Sequence, residues 1–319
     1  MIVLLTTEAH DYTNRSVRGL GRCDIRPMGY HRAFRARRLP RATWVFGDLD
    51  RLGFWELELA ARLYRVLAAA GQRVLNDPAR LRQRFDLLRA LHVGGLNAFD
   101  VWRVTEGGVP PRYPVFLRTE SAHRGVLSDL LHDPQQVAAA VDAAIARGLP
   151  ARELMLVEYC AQPVRDGLFR KWAMFRVGDR MVPALGVFES GWVAKGGEIG
   201  IAGQALYEDE RAAILEHRHA EPLRAAFELA HTEYGRADFG LVDGRPQVYE
   251  INTNPTLGRV TAHPFPARVE SDSLSFTGLV DAFAAIDTPR GGPDIAIDDE
   301  ELVRQRRHDR WMTRPRWMP

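Results

Sequence analysis

Cysteine and long apolar runs are both scarce in this chain of 319 residues. The two cysteines, Cys23 and Cys160, are too few for a disulfide framework or for a metal site built from thiolates. No apolar stretch approaches the length of a membrane-spanning helix, and the apolar run at residues 2–5 is too short for a secretory signal. These absences predict a protein of the reducing cytoplasm with no membrane partner.

The chain also lacks a strong net charge and any low-complexity tract. Its formal net charge is +2, so the composition gives no reason to expect nucleic acid as a partner. Arginines nevertheless cluster at residues 31–41 and again at 304–317. We interpret both clusters as solvated loop or terminus, and an acidic partner is the functional alternative. With 46% hydrophobic and 26% charged residues, the composition is that of a globular protein large enough for two or three lobes.

Short apolar strands alternate with helices at the start of the chain, which predicts a small α/β lobe. Asn76, Asp77 and Pro78 then form a typical helix start, and we expect a helix from there to His92. Another helical segment is expected at 128–131. The predicted organisation is an N-terminal lobe, a central lobe, a C-terminal lobe and a loose basic tail, at residues 1–95, 96–190, 191–290 and 291–319 respectively.

The most informative segment, residues 236–258, predicts a strand, a tight Asp-Gly turn and a second strand. Polar residues occupy even positions, and side chains two apart lie on the same face of a strand. If the turn between the strands has an odd number of residues, Asp238 lies opposite Glu250 and Asn252 lies opposite Arg236. The odd positions are mostly apolar and form a surface suited to burial.

Two carboxylates and an amide oxygen on one face form a set of hard oxygen ligands that suits Mg²⁺. Asp238, Glu250 and Asn252 are therefore the candidate metal ligands. Magnesium usually shares its coordination shell with substrate phosphates, and the planar, always charged guanidinium of Arg236 suits a phosphoryl oxygen. The alternative is a surface hairpin that is polar on its solvent face, although such a hairpin has no need of the Glu-x-Asn pattern.

The order of elements and the hairpin motif resemble the ATP-grasp superfamily, and within it glutathione-synthetase-like and ribosomal-protein glutamate ligases. The resemblance covers residues 75–258 and is most specific over R-x-D, E-x-N and the following N-P. It implies a fold in which two lobes clasp ATP. It also implies that Asp238, Glu250 and Asn252 hold two Mg²⁺ ions against the ATP phosphates, and that Arg236 steadies the transferred phosphoryl group.

Weaker parts of the resemblance concern the nucleotide. Glu158, Tyr159 and Cys160 resemble the hinge strand, which implies that backbone groups of Glu158 and Tyr159 meet the edge of the adenine. The segment from Thr119 to Gly125 occupies the place of a flexible phosphate loop, whose N–H groups fold over the phosphates.

Two positions depart from the family pattern. The strand before the phosphate loop usually ends in lysine, and this chain has Arg118 there, a fixed cation that can still hold an α- or β-phosphate. A second lysine is usual in the preceding helix, where Leu87 stands near that place. Lys171 and Lys195 are the candidates to supply the missing charge, and an uninvolved surface cation is the alternative for each.

The resemblance implies an ADP-forming carboxylate–amine ligase, which activates an acid as an acyl-phosphate and then couples it to an amine. Small-molecule or peptide acids and amines are the expected partners, and Arg259 is a candidate for binding a substrate carboxylate. No protein nucleophile is needed, so His10, His123 and His231 are interpreted as local structure. The alternatives are an ATP-binding protein without ligase activity and a small-molecule kinase. The oligomeric state stays open, and a homodimer is one assembly that we consider.

Overall fold

The computed structural model describes residues 1–18, 22–121, 125–165, 167–289 and 291–312. A first lobe contains, in chain order, β1 (Ile2–Thr6), α1 (Arg15–Arg18), β2 (Ile25–Gly29), α2 (Tyr30–Arg35), β3 (Arg38–Leu39), β4 (Thr43–Phe46), α3 (Phe54–Ala69) and β5 (Val74–Leu75). Its main sheet is parallel, in the order β2-β1-β4-β5. Helix α3 buries its apolar stripe in the same core as one face of this sheet, with Leu63 and Leu67 fully buried.

Asn76 connects the first lobe to the last one. Its backbone is left-handed, with a φ of 64°, and its buried amide donates to the carbonyls of Phe46 and Tyr234 at 3.0 and 2.8 Å. The prediction of a helix directly after Asn76 is wrong, because residues 78–80 form only a turn and residues 81–83 are not helical. Helix α4 (Arg84–Val93) begins at Arg84.

The central lobe contains β6 (Val101–Arg103), β7 (Val115–Thr119), α5 (Pro134–Ala146) and β8 (Leu154–Glu158), with an antiparallel sheet in the order β6-β8-β7. Helix α5 begins where the Asp133 carboxylate accepts the Gln136 N–H at 2.8 Å, with Pro134 in the first turn. The helical prediction for residues 128–131 is wrong, because Leu131 forms a bridge to Val115 instead.

The last lobe contains β9 (Phe169–Val177), β10 (Arg180–Glu189), α6 (Gln204–Leu215), α7 (Ala220–Leu229), β11 (Tyr234–Val242), β12 (Arg245–Asn252) and α8 (Pro266–Ile286). Its antiparallel sheet has the order β10-β9-β11-β12. Strands β9 and β10 form a hairpin across Gly178, and residues 191–203 form an irregular, glycine-rich loop. None of the helices in the described part of the chain is both long and apolar enough to cross a membrane.

Residues 295–312 are not the loose tail that the sequence predicted. Strand β13 (Ile295–Ala296) pairs with β3, and α9 (Glu300–Met312) packs against α2 and α3. Leu302 is fully buried in the core of the first lobe. The arginine-rich segment 31–41 is also ordered, since Phe34 and Leu39 belong to the same core. A few apolar anchors fix both segments although their composition is strongly charged.

Candidate functional site

Strands β11 and β12 form the predicted hairpin, with the predicted register. Asp238 pairs with Glu250, and Arg236 pairs with Asn252. The route to this register differs from the expectation, because the turn has two residues. Tyr249 is an extra residue in β12, which has no partner in β11 and lies between the partners of residues 238 and 239. A β-bulge of this kind bends its strand and re-aims the side chains beside it. The bulge thus restores the pairing that an odd turn would have produced.

Asp238 is buried between two cations. The Lys171 amine lies 2.9 Å from one carboxylate oxygen, and Arg236 Nε donates to the other at 2.8 Å. Burial alone would lower the pKa of Arg236, but Asp238 and then Glu250 outweigh it and raise that pKa. Arg236 is therefore a permanent cation whose position is set by a charge-assisted bond.

Glu250, across the hairpin, also holds two cations. Arg84 and Arg118 each donate to its Oε2, at 2.9 and 3.2 Å. Burial and the charge of Arg84 lower the pKa of Arg118 to about 10, which still leaves Arg118 charged at neutral pH. Four cations thus surround two carboxylates, and the cluster carries a net charge of +2. A cluster with this charge attracts polyanions.

Arg84 is a site residue that the sequence analysis missed. It also donates to the carbonyls of Thr119 and Glu120, both at 3.0 Å, and so it supports the start of the predicted phosphate loop. On α4 it shares a face with the buried Leu88 and Leu91. An arginine on an otherwise apolar helical stripe is the signal that could have found it.

The hairpin faces a cavity of about 470 Å³ that is lined by residues of all three lobes. This volume is in the range of small-molecule binding sites. Residues far apart in the sequence meet here, and all the residues predicted to hold ATP, magnesium or the phosphoryl group line the cavity. They are Arg118, Glu158, Tyr159, Cys160, Lys171, Lys195, Arg236, Asp238, Glu250 and Asn252.

One part of the cavity is aromatic. The ring of Trp192, from the glycine-rich loop, lies 4.9 Å from Phe116 and 5.7 Å from Tyr159, measured between centroids. Flat apolar walls of this kind suit a planar heterocycle. The sequence did not single out Trp192, because its contacts join a loop to strands far away in the chain.

The backbone of the hinge differs from the expectation. The N–H of Glu158 already donates to the carbonyl of Asp100 at 3.1 Å, and that of Tyr159 donates to Pro114 at 2.9 Å, so neither is available to a ligand. The N–H of Cys160 makes no hydrogen bond to another described residue. The N–H of Cys160, and not that of Glu158 or Tyr159, is therefore the backbone donor at this edge of the cavity.

Side chains fix the hinge from both sides. The Glu158 carboxylate accepts from Arg112 Nε and from the Asp100 N–H, both at 2.9 Å, and so its role here is structural. Tyr249, the bulge residue, donates its hydroxyl to the Cys160 carbonyl at 3.0 Å. Burial raises the pKa of the Tyr249 hydroxyl and of the Cys160 thiol. The bulge beside the carboxylates is thereby tied directly to the hinge.

Lys195 links the glycine-rich loop to the predicted phosphate loop. Its amine lies so close to Gly125 that a Cβ added there would be 2.9 Å from Nζ. Residues 122–124 of the phosphate loop, including His123, lie outside the described residues. The full sequence contains no lysines besides Lys171 and Lys195, and both line the cavity.

The first lobe closes the cavity with side chains that the sequence did not mark. Thr13 Oγ1 donates to Asn254 Oδ1 at 2.7 Å, which fixes this lobe to the turn after β12. Gly47 permits the close approach, since a Cβ there would lie 2.9 Å from the Thr253 carbonyl oxygen. The first-lobe residues on the cavity wall are His10, Tyr12, Thr13, Asp48 and Arg51.

Arg259 does not have the surroundings predicted for it. It donates to the buried Asp272 at 2.6 Å, and its guanidinium lies 3.8 Å from the centroid of the Phe276 ring. Its charge is already neutralised, so the structure gives no support to a role in binding a substrate carboxylate. Thr256, from the same segment, does line the cavity.

The hairpin donors fit magnesium only together with a phosphate. Among the residues that the structure describes, no three His, Cys, Asp or Glu side chains form a group able to hold a metal. The hairpin supplies two carboxylates and the Asn252 amide oxygen, which also accepts the Asn254 N–H at 2.8 Å. Such a set is small for Mg²⁺, which keeps a full octahedral shell, unless phosphate oxygens and water complete it.

Comparisons with known proteins bear on the fold. No family model matches the sequence, and no curated protein matches it. Among solved structures, the VanG D-Ala:D-Ser ligase from Enterococcus faecalis is 13% identical, with a TM-score of 0.51, covering 89% of this chain and 98% of that one. The D-alanine–D-alanine ligase from Coxiella burnetii is also 13% identical, with a TM-score of 0.50 and 98% of each chain covered.

Both similarities extend over most of this chain, so they concern the arrangement of its lobes and not the hairpin alone. At such low identity they establish the fold and leave the activity to be argued from the site. The mixed α/β architecture, with a four-stranded parallel sheet and antiparallel sheets of four, three and two strands among the described residues, agrees with the expectation from the sequence. The chain has the fold of these two ligases, in agreement with the ATP-grasp fold that its hairpin motif and order of elements predicted.

Proposed function

We propose that this protein is an ADP-forming ligase that activates a carboxylate with ATP and couples it to an amine. The observation that carries the proposal is the opposed pair Asp238 and Glu250, which lines a cavity and is surrounded by four cations. A positive cluster with two hard-oxygen ligands suits a triphosphate and its divalent cation together better than either alone.

The aromatic part of the cavity would bind the base of the nucleotide, and the positively charged part would bind its phosphates. Trp192 and Phe116 provide flat walls for the base, and the Cys160 N–H provides one donor at its edge. Arg118 and Lys195 supply charge along the phosphates, as any fixed cation can. Arg118 is already oriented by its bond to Glu250.

Asp238, Glu250 and Asn252 are the residues that would hold magnesium. When bound, Mg²⁺ neutralises phosphate charge and aligns the phosphate oxygens. Lys171 and Arg236 both contact Asp238. With magnesium held by that carboxylate, these two cations would be free to contact phosphoryl oxygens. Each of them would then keep an anionic partner in the cavity.

The chemistry requires positioning and charge stabilisation more than proton relays. The substrate carboxylate attacks the terminal phosphorus of ATP, ADP leaves, and an amine then displaces phosphate from the acyl-phosphate. Arg236 stabilises the charge on the transferred group, because a fixed cation acts more strongly in a cavity than in bulk water. First-lobe residues form one wall of the cavity, where they would limit the access of water to the acyl-phosphate.

Calorimetric titration with a non-hydrolysable ATP analogue, with and without Mg²⁺, tests the nucleotide site. We expect the wild type to bind the analogue more tightly with Mg²⁺, and Asp238→Asn to lose this dependence while keeping a native circular dichroism spectrum. ADP release is then measured with a mixture of the common amino acids and small carboxylic acids. We expect ADP and a condensed product in equal amounts.

Asp243→Asn is the matched control, because Asp243 is exposed at the turn of the same hairpin and Asn tolerates its positive φ. It should behave as the wild type does. Full Mg²⁺-dependent turnover by Asp238→Asn would refute the metal assignment. Absence of nucleotide binding by the wild type would refute the proposed function, and ADP formed with a phosphorylated, uncondensed product would replace the ligase with a kinase.

A further inference from the structure

The segment after β1 brings a histidine to the cavity wall opposite the hairpin. Residues Glu8–Asn14 form a 3-10 turn that is interrupted at His10, where φ is −123° and ψ is 23°. The Asn254 amide donates to the His10 carbonyl at 3.2 Å, so the backbone of this histidine is fixed to the turn that follows β12. His10 lines the cavity, and 27% of its side chain is exposed.

The hydrogen bonds around His10 define which ring nitrogen carries the proton. Thr7 donates its hydroxyl to Asp48 Oδ2 at 2.7 Å and its N–H to the same oxygen at 3.0 Å. Asp48 also accepts from Arg51 Nε at 3.1 Å, and an ionised carboxylate has no proton to donate. The hydroxyl has one proton, so the 2.7 Å bond between Thr7 Oγ1 and His10 Nδ1 requires His10 to donate.

The ring therefore has its proton on Nδ1 and a lone pair on Nε2. Nε2 has no hydrogen-bond partner within the described part of the chain. Asp48, at the start of the hydrogen bonds that run through Thr7 to His10, is buried. Its backbone is left-handed, with a φ of 53°. A strained residue that fixes a base through a third group is a recurring arrangement at catalytic sites.

We propose that His10 Nε2 is the general base that deprotonates the amine substrate. This proposal rests on the proposed ligase function. The ammonium group of the substrate gives one proton to Nε2, and the freed nitrogen lone pair attacks the carbonyl carbon of the acyl-phosphate. The carbon–oxygen bond to phosphate then breaks, the phosphate leaves with the electron pair, and a second proton of the attacking nitrogen passes to it. Thr7 and Asp48 are positioning residues that stabilise the resulting imidazolium.

The test compares two nucleophiles in His10→Asn, because the asparagine amide can still donate to Thr7 but has no basic nitrogen. The acid is supplied by the amino-acid mixture, and the amine is either that mixture or hydroxylamine, which is largely unprotonated at neutral pH. We expect condensation with amino acids to fall by about 10²–10⁴-fold, the usual contribution of a general base. Hydroxamate formation and ADP release with hydroxylamine should stay within a few-fold of the wild type.

His31→Asn is the control, since His31 is exposed on α2 and does not line the cavity. It should leave both reactions unchanged. An equal loss of both reactions in His10→Asn, or no loss of either, would refute the role of His10 alone. Absence of ADP from the wild type with every acid would instead refute the ligase proposal, and the base role with it.

A second readout does not depend on turnover. In protein labelled with ¹⁵N-histidine, long-range ¹H–¹⁵N correlation identifies the protonated nitrogen of each ring, and His10→Asn assigns the signal of His10. We expect His10 to be protonated on Nδ1, and Thr7→Val to shift the proton to Nε2. A wild-type signal with the proton on Nε2 would overturn the proposal.

Discussion

Glu250→Gln should change stability and anion affinity in opposite directions. Glu250 neutralises Arg84 and Arg118, whose side chains are only 7% and 13% exposed. Removing one partner of a buried ion pair costs about 3–5 kcal/mol, because a charge remains buried without compensation. Glu250 itself is 22% exposed, and Gln can still accept a hydrogen bond, so we expect a loss of about 2–3 kcal/mol in the free energy of unfolding.

The same substitution makes the cluster more positive by one charge. Two unit charges about 4 Å apart interact by about 1 kcal/mol even with the screening of bulk water, so inorganic triphosphate without metal should bind at least about fivefold more tightly. Urea denaturation measures the first effect, and calorimetric titration with triphosphate in EDTA measures the second. Triphosphate should also restore most of the lost stability, because it replaces the missing anion.

Glu221→Gln is the control for both measurements, since Glu221 is 85% exposed and lies 3.8 Å from Arg224 in an exposed pair. It should change stability by less than about 0.5 kcal/mol. Unchanged stability in Glu250→Gln would show that the two arginines do not depend on this carboxylate. Weaker triphosphate binding would contradict the idea that the cluster is a polyanion site whose positive charge is partly offset by its own carboxylates.

Two further expectations concern the C-terminal helix and the hinge. In a urea titration, Leu302→Ala should lower the free energy of unfolding by about 2–5 kcal/mol, because Leu302 is fully buried in the first lobe. The control Arg304→Ala changes a side chain that is 72% exposed, and it should lower the free energy of unfolding by less than about 0.5 kcal/mol. Equal effects would place α9 outside the core. Since burial raises the pKa of Cys160, its labelling by a thiol reagent in a Cys23→Ala background should keep rising with pH after a free thiol has levelled off. A pH profile like that of a free thiol would show that Cys160 is not buried.

The hairpin shows how far the sequence alone could reach. Strand alternation is a local property, so the facing of Asp238 and Glu250 followed from their spacing. The bulge at Tyr249 did not, because a two-residue turn with a bulge and an odd turn without one give the same pairing at these positions. The correct partners were predicted through the wrong turn.

The neighbours of the hairpin were harder to foresee, because they come from distant parts of the chain. Lys171 reaches Asp238 through the pairing of β9 with β11, and Arg84 reaches Glu250 only where α4 packs against β12. His10 was interpreted as local structure, and its place on the cavity wall depends on the contact between Asn254 and the first lobe. Periodicity and spacing describe single elements, and they do not specify which elements meet.

The return of the chain to the first lobe has a consequence for the order of folding. Arg38 donates to the carbonyl of Asp294, a contact between residues that are 256 positions apart, and Ile295 and Leu302 belong to the core that β1 and β4 begin. Contacts over such separations form late, because a long loop must close first. During synthesis the first lobe therefore emerges early but cannot complete its core until the central and last lobes have been made. Its exposed apolar surface in that interval is a natural target for chaperones.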